Sequence, residues 1–219
     1  MRDRQVLYAT AFLRSLATGM AGVLIGIHLA RQGLGAAAIG GVVAAGLFGC
    51  ATAALLATLA ADRVGRRRFL VLLSLLGATG GLAVAATTHP GALAAVAFLG
   101  MLNGMGRDRG ASLVVEQAIL PGTARDSERT RAFAWYNVLQ DAGHALGSLC
   151  AGLPVLLRRL PGVSVPFSFH LTWVVYALLL AASAILYLRL SPAVEAPAGH
   201  RAIPISPIAS RSQSSGTVR

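Results

Sequence analysis

The chain has 219 residues, of which 55% are hydrophobic and 12% are charged, whereas about a quarter of the residues of a soluble domain are charged. The formal net charge is +11 and all 19 basic residues are arginine, but the arginines lie mostly in short segments between long apolar runs. That distribution is typical of a membrane protein with basic loops on one side. It argues against a nucleic-acid-binding protein, whose basic residues form one continuous patch.

Six apolar runs, taken in chain order, are predicted to form membrane-spanning helices, because about 20 apolar residues in a helix cross the hydrocarbon core. The runs are residues 6–30, 36–61, 69–86, 91–120, 132–157 and 169–188. The first is too long to be the apolar core of a signal peptide. The predicted fold is therefore an all-α membrane protein, with six transmembrane helices in residues 1–190. Residues 191–219 contain many prolines, serines and glycines, and we predict a disordered tail there.

The charged segment 62–68 separates the second predicted helix from the third and is too short to cross a bilayer. Arginine clusters in short loops stay in the cytoplasm, which predicts that both termini are cytoplasmic in an inner (plasma) membrane. The other arginines support this topology. The inner segments before the tail hold Arg2, Arg4, Arg63, Arg66, Arg67, Arg68, Arg125, Arg129 and Arg131, and the outer ones hold Arg31, Arg158 and Arg159.

Five polar side chains inside the predicted helices are candidates for a substrate or proton pathway, because charges in spanning helices usually face a cavity or a partner. They are Arg14 in the first helix, Asn103 and Arg107 in the fourth, and Asp141 and His144 in the fifth. Asn103 and Arg107 are four residues apart and would share one helical face. Two other interpretations stay open: Arg14 reaches the inner headgroups by snorkelling, and the polar residues of helix four form a structural network.

The fifth helix carries a polar stripe, Asn137, Asp141, His144 and Ser148, with spacings of four, three and four residues. A histidine one turn from an aspartate is a candidate proton relay. We expect Asp141 to pair with Arg14 or Arg107 and to exchange a proton when its partner changes. A permanent brace between an aspartate and an arginine is the alternative.

Two segments of the sequence resemble signatures of the major facilitator superfamily. Residues Asp62 to Arg68, read as Asp-Arg-Val-Gly-Arg-Arg-Arg, resemble its motif between the second and third helices, with Thr58 at a position usually held by glycine. Glu116, Pro121 and the run from Glu128 to Phe133 resemble the end of its fourth helix and the loop that follows. In the fifth helix, the glycines resemble the glycine motif of antiporters. The resemblance covers about residues 6–190, the amino-terminal half of such a transporter.

The resemblance implies roles for charged residues near the cytoplasmic surface. The motif positions are Asp62, Arg63, Gly65, Arg66, Arg67, Glu116 and Arg129. Three of them, Asp62, Arg66 and Glu116, are expected to form a charge relay that ties helix two to helix four. A carboxylate such as Glu116 inside a helix would be costly unless an arginine meets it.

The functional expectation is a secondary transporter, as a half or truncated chain, that moves a small molecule by alternating access coupled to protons. Family members bind substrate between two six-helix halves, so a second half or self-association is expected. The alternative is a six-helix partner protein or an inactive remnant without transport of its own. The expected partners are membrane lipid and a small-molecule substrate. Since phosphate-loop, nucleophile and metal-ligand motifs are missing from the sequence, no enzyme activity, cofactor, metal site or nucleic-acid partner is expected.

Overall fold

The computed structural model describes residues 2–106 and 110–195, and this part of the chain is built from helices joined by short turns. The α-helices are α1 (Arg2–Arg31), α2 (Ala36–Val64), α3 (Arg66–Ala86), α4 (Pro90–Leu99), α5 (Ala111–Ile119), α6 (Arg129–Cys150), α7 (Leu153–Leu157) and α8 (Val165–Tyr187). Single 3-10 turns lie at Leu120–Thr123, Asp126–Glu128 and Pro192–Val194.

Four of these helices, α1, α2, α3 and α8, are long and apolar enough to cross a membrane. The chain is thus an all-helical membrane protein, with four candidate spans in the described residues where the sequence predicted six. Helix α4 is apolar but has only 10 residues. Helix α6 has 22 residues, but its polar stripe lowers its hydropathy and it is not among the candidates. The predicted fourth and fifth spans are the two that do not qualify.

The prediction of one continuous fourth helix from Gly91 to Leu120 is wrong, because the helix stops at Leu99 and resumes at Ala111. Backbone dihedrals explain the break: Met101 has φ 51° and Gly106 has φ 68°, values that lie in the left-handed region and cannot continue a right-handed helix. The thiol of Cys50 in α2 donates to the Met101 carbonyl at 3.1 Å. Protein groups therefore satisfy part of the irregular backbone, as a segment at membrane depth requires.

Helix α1 is the most extensively buried of the four candidate spans, because it packs against α6 on one side and against α8 on another. The contact with α6 depends on glycine. A Cβ at Gly143 would lie 2.7 Å from the Phe12 carbonyl oxygen, and a Cβ at Gly147 would overlap the backbone of Leu16. Small residues allow two helix backbones to approach closely in this way. The fifth predicted helix ends at Cys150, before Pro154, and not at Leu157 as expected.

The helical bundle has two ends with different polar residues. We call the end that holds the α2–α3 connection, residues 62–68, the arginine end. The opposite end holds His28, His89 and His170, and we call it the histidine end. Each end has its own apolar core of buried side chains. Leu24, Leu93 and Trp173 belong to the core at the histidine end, and Leu7, Leu70 and Leu120 belong to the one at the arginine end.

Candidate functional site

A buried carboxylate, Glu116, lies where four helices meet near the arginine end. Helix α5 supplies Glu116, α1 supplies Thr10 and Arg14, α6 supplies Tyr136, and α8 supplies Tyr187. Glu116 lies in the last turn of α5, on its buried side. The other buried residues of α5 are Ala111, Ser112, Val115 and Ile119. We call these five residues, Thr10, Arg14, Glu116, Tyr136 and Tyr187, the Glu116 cluster.

Both oxygens of Glu116 accept short hydrogen bonds. Oε1 accepts from the hydroxyls of Thr10 and Tyr187, each at 2.6 Å. Oε2 accepts from the Tyr136 hydroxyl at 2.5 Å and pairs with Nη1 of Arg14 at 2.8 Å. The same Nη1 donates to the Tyr187 hydroxyl at 2.8 Å. Four donors surround one carboxylate, which is the arrangement that an ionised, acceptor-only group needs.

Burial makes these contacts strong and makes their loss costly. Thr10, Glu116, Tyr136 and Tyr187 are fully buried, and the Arg14 side chain is 6% exposed. Charge-assisted hydrogen bonds are about twice as strong as neutral ones, and a buried ion pair is tolerated only when hydrogen bonds satisfy its remaining atoms. Both oxygens of Glu116 meet that condition, and the contacts of this carboxylate connect α5 to α1, α6 and α8.

The expected contact between Arg66 and Glu116 does not form in the described part of the chain. An arginine does meet Glu116, but it is Arg14, from the first helix and not from the arginine loop. Glu116 lies near the arginine end, where it is fully buried and bonded to two tyrosines. Helix α5 is a separate short helix that packs against α2 and α3, and the Glu116 side chain in its last turn reaches α1, α6 and α8.

Arg66 instead binds Asp62 in the last turn of α2 and residues 194–195, which follow α8 in the chain. Its Nε donates to Asp62 Oδ1 at 2.7 Å, so the Asp62–Arg66 part of the expected relay is present. The backbone N–H groups of Arg66 and Arg67 donate to Glu195 Oε2 at 2.6 Å and Oε1 at 3.3 Å. Glu195 thereby caps α3, because a carboxylate is stabilised by the free N–H groups and the dipole at a helix N-terminus.

Gly65 makes this cap possible. Its φ is 100°, a conformation that favours glycine, and a Cβ there would lie 3.4 Å from both carboxylate oxygens of Glu195. Side chains of the arginine motif hold the rest of the segment: Arg66 Nη1 donates to the Val194 carbonyl at 3.5 Å and Arg67 Nη1 to the Leu190 carbonyl at 3.4 Å.

Residues 191–195, where the predicted tail begins, are therefore packed against the arginine end. Val194 is buried there, and the backbone N–H of Ser191 donates to Asp3 Oδ1 at 2.9 Å. Residues 196–219, the rest of the predicted tail, lie outside the described residues. Arg63 is exposed, and Arg129 forms an exposed ion pair with Asp126 at 2.9 Å.

The polar stripe of α6 does not face the interior of the described bundle. Asn137, Asp141 and Ser148 are exposed and His144 is half-buried. The adjoining face, with Tyr136, Gln140, Gly143 and Gly147, is buried. Arg14 forms an ion pair with Glu116, and the expected pairing of Asp141 with Arg14 stays a prediction.

Arg14 and Asn103 line one small cavity of about 60 Å³ between α1, α2, α3 and α8. Asn103 lies in the irregular segment after α4, where its Oδ1 accepts from the N–H of Met105 at 2.8 Å. These two of the five pathway candidates thus share a cavity. Asn103 was expected to lie in a helix, but it lies in the irregular segment. Arg107, the third candidate, lies outside the described residues, so its expected face with Asn103 and its pairing with Asp141 stay predictions.

Four site residues were missed by sequence reasoning: Thr10, Tyr136, Tyr187 and Glu195. Thr10 is one turn from Arg14 on the same face of α1, and that spacing was a usable signal. Tyr136 and Tyr187 had no distinguishing pattern, because tyrosine in an apolar helix is ordinarily a packing residue. Among the described residues, no group of three or more histidine, cysteine, aspartate or glutamate side chains could hold a metal.

Comparison with known proteins places the chain in a family. The profile of the Major Facilitator Superfamily matches residues 7–213, so the chain belongs to this superfamily of membrane transporters. It is also 25% identical over 196 residues to an uncharacterized membrane protein of Saccharomyces cerevisiae, across 89% of this chain and 44% of the yeast protein. The chain therefore spans less than half the length of the curated relative that it matches. No solved structure matches the chain.

Proposed function

We propose that this chain forms one wall of a secondary transporter that moves a small molecule by alternating access, with a second six-helix unit as the opposite wall. The observation that carries this proposal is the exposed polar stripe of α6, residues Asn137, Asp141 and Ser148. Polar and ionisable side chains on a membrane helix face a protein partner or a water-filled cavity and not lipid. The second unit is a further part of the same polypeptide, a separate chain or a second copy.

We propose that six segments of this chain cross the membrane. The residues of α4, the irregular segment and α5 together make the fourth crossing, and α6 with α7 makes the fifth. Broken helices that line a cavity are a recurring feature of transporters. A polar helix such as α6 is stable at membrane depth only when its polar side is covered by protein or water.

Cysteine labelling tests whether the polar stripe of α6 lies in water. In a background with Cys50 and Cys150 replaced by serine, single cysteines are introduced at Asn137 and Ser148 and, as matched controls, at their neighbours Val138 and Leu149. All four side chains are exposed on the described chain, so a difference in labelling reports whether a position faces lipid or water. A charged maleimide added to membranes opened on both sides is expected to modify positions 137 and 148 much faster than positions 138 and 149. Equal labelling of all four positions, or none at 137 and 148, would refute the proposal.

We further propose that transport is coupled to protons through Asp141, with His144 one turn away on α6. In proteoliposomes containing the complete transporter, Asp141→Asn is expected to abolish proton-driven uptake while substrate exchange continues, because exchange needs no net proton release. Asn137→Ala, on the same stripe but not ionisable, is the control and keeps proton-driven uptake. Survival of both activities in Asp141→Asn excludes a coupling role. Loss of both in a protein that fails to fold favours a structural brace.

The alternative class, a membrane partner protein or an inactive remnant, is favoured by the Glu116 cluster, because four donors from within the bundle surround its carboxylate and its role can be structural alone. It predicts specific association with another membrane protein and no uptake in any arrangement. Substrate uptake by a strictly monomeric preparation of these 219 residues alone would contradict both the two-wall proposal and this alternative.

A further inference from the structure

A second cavity, with a volume of about 500 Å³, lies at the histidine end between α1, α3 and α8. The small cavity beside Arg14 measures about 60 Å³, and pockets for small organic ligands run from about 300 to 1,000 Å³. Helix α6 contributes none of its lining residues. This cavity is therefore separate from the polar stripe of α6, on which the function proposed above rests.

The inner wall of the cavity is aromatic and apolar. The buried residues Ala85, Phe169 and His28 line it. The His28 ring lies 5.3 Å from the Phe169 ring and 6.1 Å from the Trp173 ring, measured between centroids. Trp173 is in turn 5.4 Å from Tyr176. These rings pack tilted or edge to face, and the buried rings behind the wall hold Phe169 and His28 in place. The wall therefore offers an apolar ligand body a surface that is already ordered.

The rim of the cavity carries positive charge. The charge is that of Arg31, which lines the rim and is exposed, as is His170 beside it. Arg31 has no ionic partner in the described part of the chain, and no acidic residue is among the described residues that line the cavity. The first turn of α8 borders the cavity and so do the last turns of α1 and α3, so helix dipole ends of both signs lie there and the charge preference comes from Arg31. An anionic group is favoured at this position.

A second feature of the cavity is a buried hydrogen-bond acceptor, which favours a ligand with a donor group. Gln32 lines it, with Nε2 placed 2.9 Å from His28 Nε2 and 3.5 Å from the Thr87 carbonyl. The Oε1 atom of Gln32 is buried and has no hydrogen-bond partner among residues 2–106 and 110–195. A buried acceptor without a partner is destabilising, so a ligand that offers a hydroxyl or ammonium group there would be bound more tightly.

We propose that this cavity binds an amphipathic anion: a phosphate or carboxylate beside a hydroxyl or ammonium group, on an apolar body. Arg31 binds the anionic group, Gln32 accepts from the adjacent donor, and Phe169 contacts the apolar body. Because the cavity lies at the ends of membrane-spanning helices, at headgroup depth, two sources supply this chemistry. One is a membrane phospholipid with such a headgroup, and the other is a free hydroxy or amino acid with an alkyl chain.

Tryptophan fluorescence provides a direct binding assay. The chain has two tryptophans, and Trp135→Phe leaves Trp173, beside the cavity wall, as the only reporter. In detergent, this variant is titrated with dihexanoyl phosphatidylglycerol, with dihexanoyl phosphatidylcholine and with 2-hydroxydecanoate. A saturable change in Trp173 emission is expected with the first probe or the third, or with both. Phosphatidylcholine, which has a phosphate but no headgroup donor, is expected to bind at least tenfold more weakly than phosphatidylglycerol.

Two variants link the signal to the cavity. Arg31→Gln is expected to weaken binding by tenfold or more, since it removes a charge-assisted contact. Arg159→Gln, at the same end of the bundle but outside the cavity, is the matched control and leaves binding unchanged. Gln32→Leu is expected to abolish the preference for the glycerol headgroup over choline. Circular dichroism checks that each variant is folded.

The probes distinguish the two sources of ligand. Binding of phosphatidylglycerol without 2-hydroxydecanoate identifies a lipid site, and the reverse identifies a site for a soluble amphiphile. Either result supports the proposed chemistry. The proposal is overturned if none of the probes gives a saturable change, or if Arg31→Gln and Arg159→Gln bind equally well.

Discussion

Replacing Glu116 by glutamine tests whether the Glu116 cluster is the main polar support of this bundle. The substitution keeps the shape of the side chain but removes its charge, which leaves Arg14 without the carboxylate that lies 2.8 Å away. It also brings an amide donor among hydroxyls that donate to Glu116 at 2.5 to 2.6 Å. Breaking a buried ion pair by changing one partner costs about 3–5 kcal/mol.

The expected fall in Tm follows from that cost. In chains of about 150–250 residues, 1 kcal/mol corresponds to roughly 2–4 °C, so Glu116→Gln is expected to lower Tm by about 10 °C. Tyr187→Phe, which removes one donor to Glu116 and the acceptor for Arg14, should fall between this variant and the native chain, at about 1.5–3 kcal/mol for hydrogen bonds to a charged group. Thermal unfolding of purified protein in detergent, followed by circular dichroism, measures all three.

Glu128→Gln is the matched control for the same measurement. The Glu128 side chain is 51% exposed and pairs with Arg4 at 3.3 Å, and exposed ion pairs contribute about 0–1 kcal/mol. Its Tm should stay within a few degrees of the native value. If Glu116→Gln lowers Tm no more than Glu128→Gln does, the buried cluster does not stabilise the bundle and the reasoning fails.

Two further predictions concern helix packing and the Glu195 cap. Gly147→Ala should cost about 1–3 kcal/mol by overpacking the α1–α6 contact, whereas Gly26→Ala, where the added Cβ has open space, should be neutral or slightly stabilising; equal Tm values for the two variants would contradict the packing argument. Glu195→Gln should weaken the cap on α3 and speed amide hydrogen exchange at Arg66 and Arg67, while Glu128→Gln leaves those amides unchanged. Unaltered exchange in Glu195→Gln would show that the cap is not stabilising.

The sequence alone determined the class of protein and its family. Apolar runs of 18 residues or more between arginine-rich segments predict membrane helices whatever their neighbours are, because the bilayer imposes that length and composition. The arginine motif at Asp62 to Arg68 lies at the predicted helix connection, and the membership that it indicated is confirmed by the family profile over residues 7–213. The boundaries of α1, α2, α3 and α8 followed from the same local signal, to within a few residues.

Tertiary packing alone decided which charged groups from distant parts of the chain meet. Glu116 and Arg14 are 102 positions apart in the chain, and Glu195 lies more than 120 residues after the arginines that it caps. A motif predicts which residue types recur at a connection, but the partner of each charge depends on how helices from distant parts of the chain are placed. The break after Leu99 illustrates the same limit: a run of glycines and an asparagine permits a helix or a turn, and contacts with α2 and α3 select the turn. Local sequence therefore determines the long apolar helices that can cross a membrane. The Glu116 cluster, in contrast, forms only because side chains of α1, α5, α6 and α8 meet at one carboxylate.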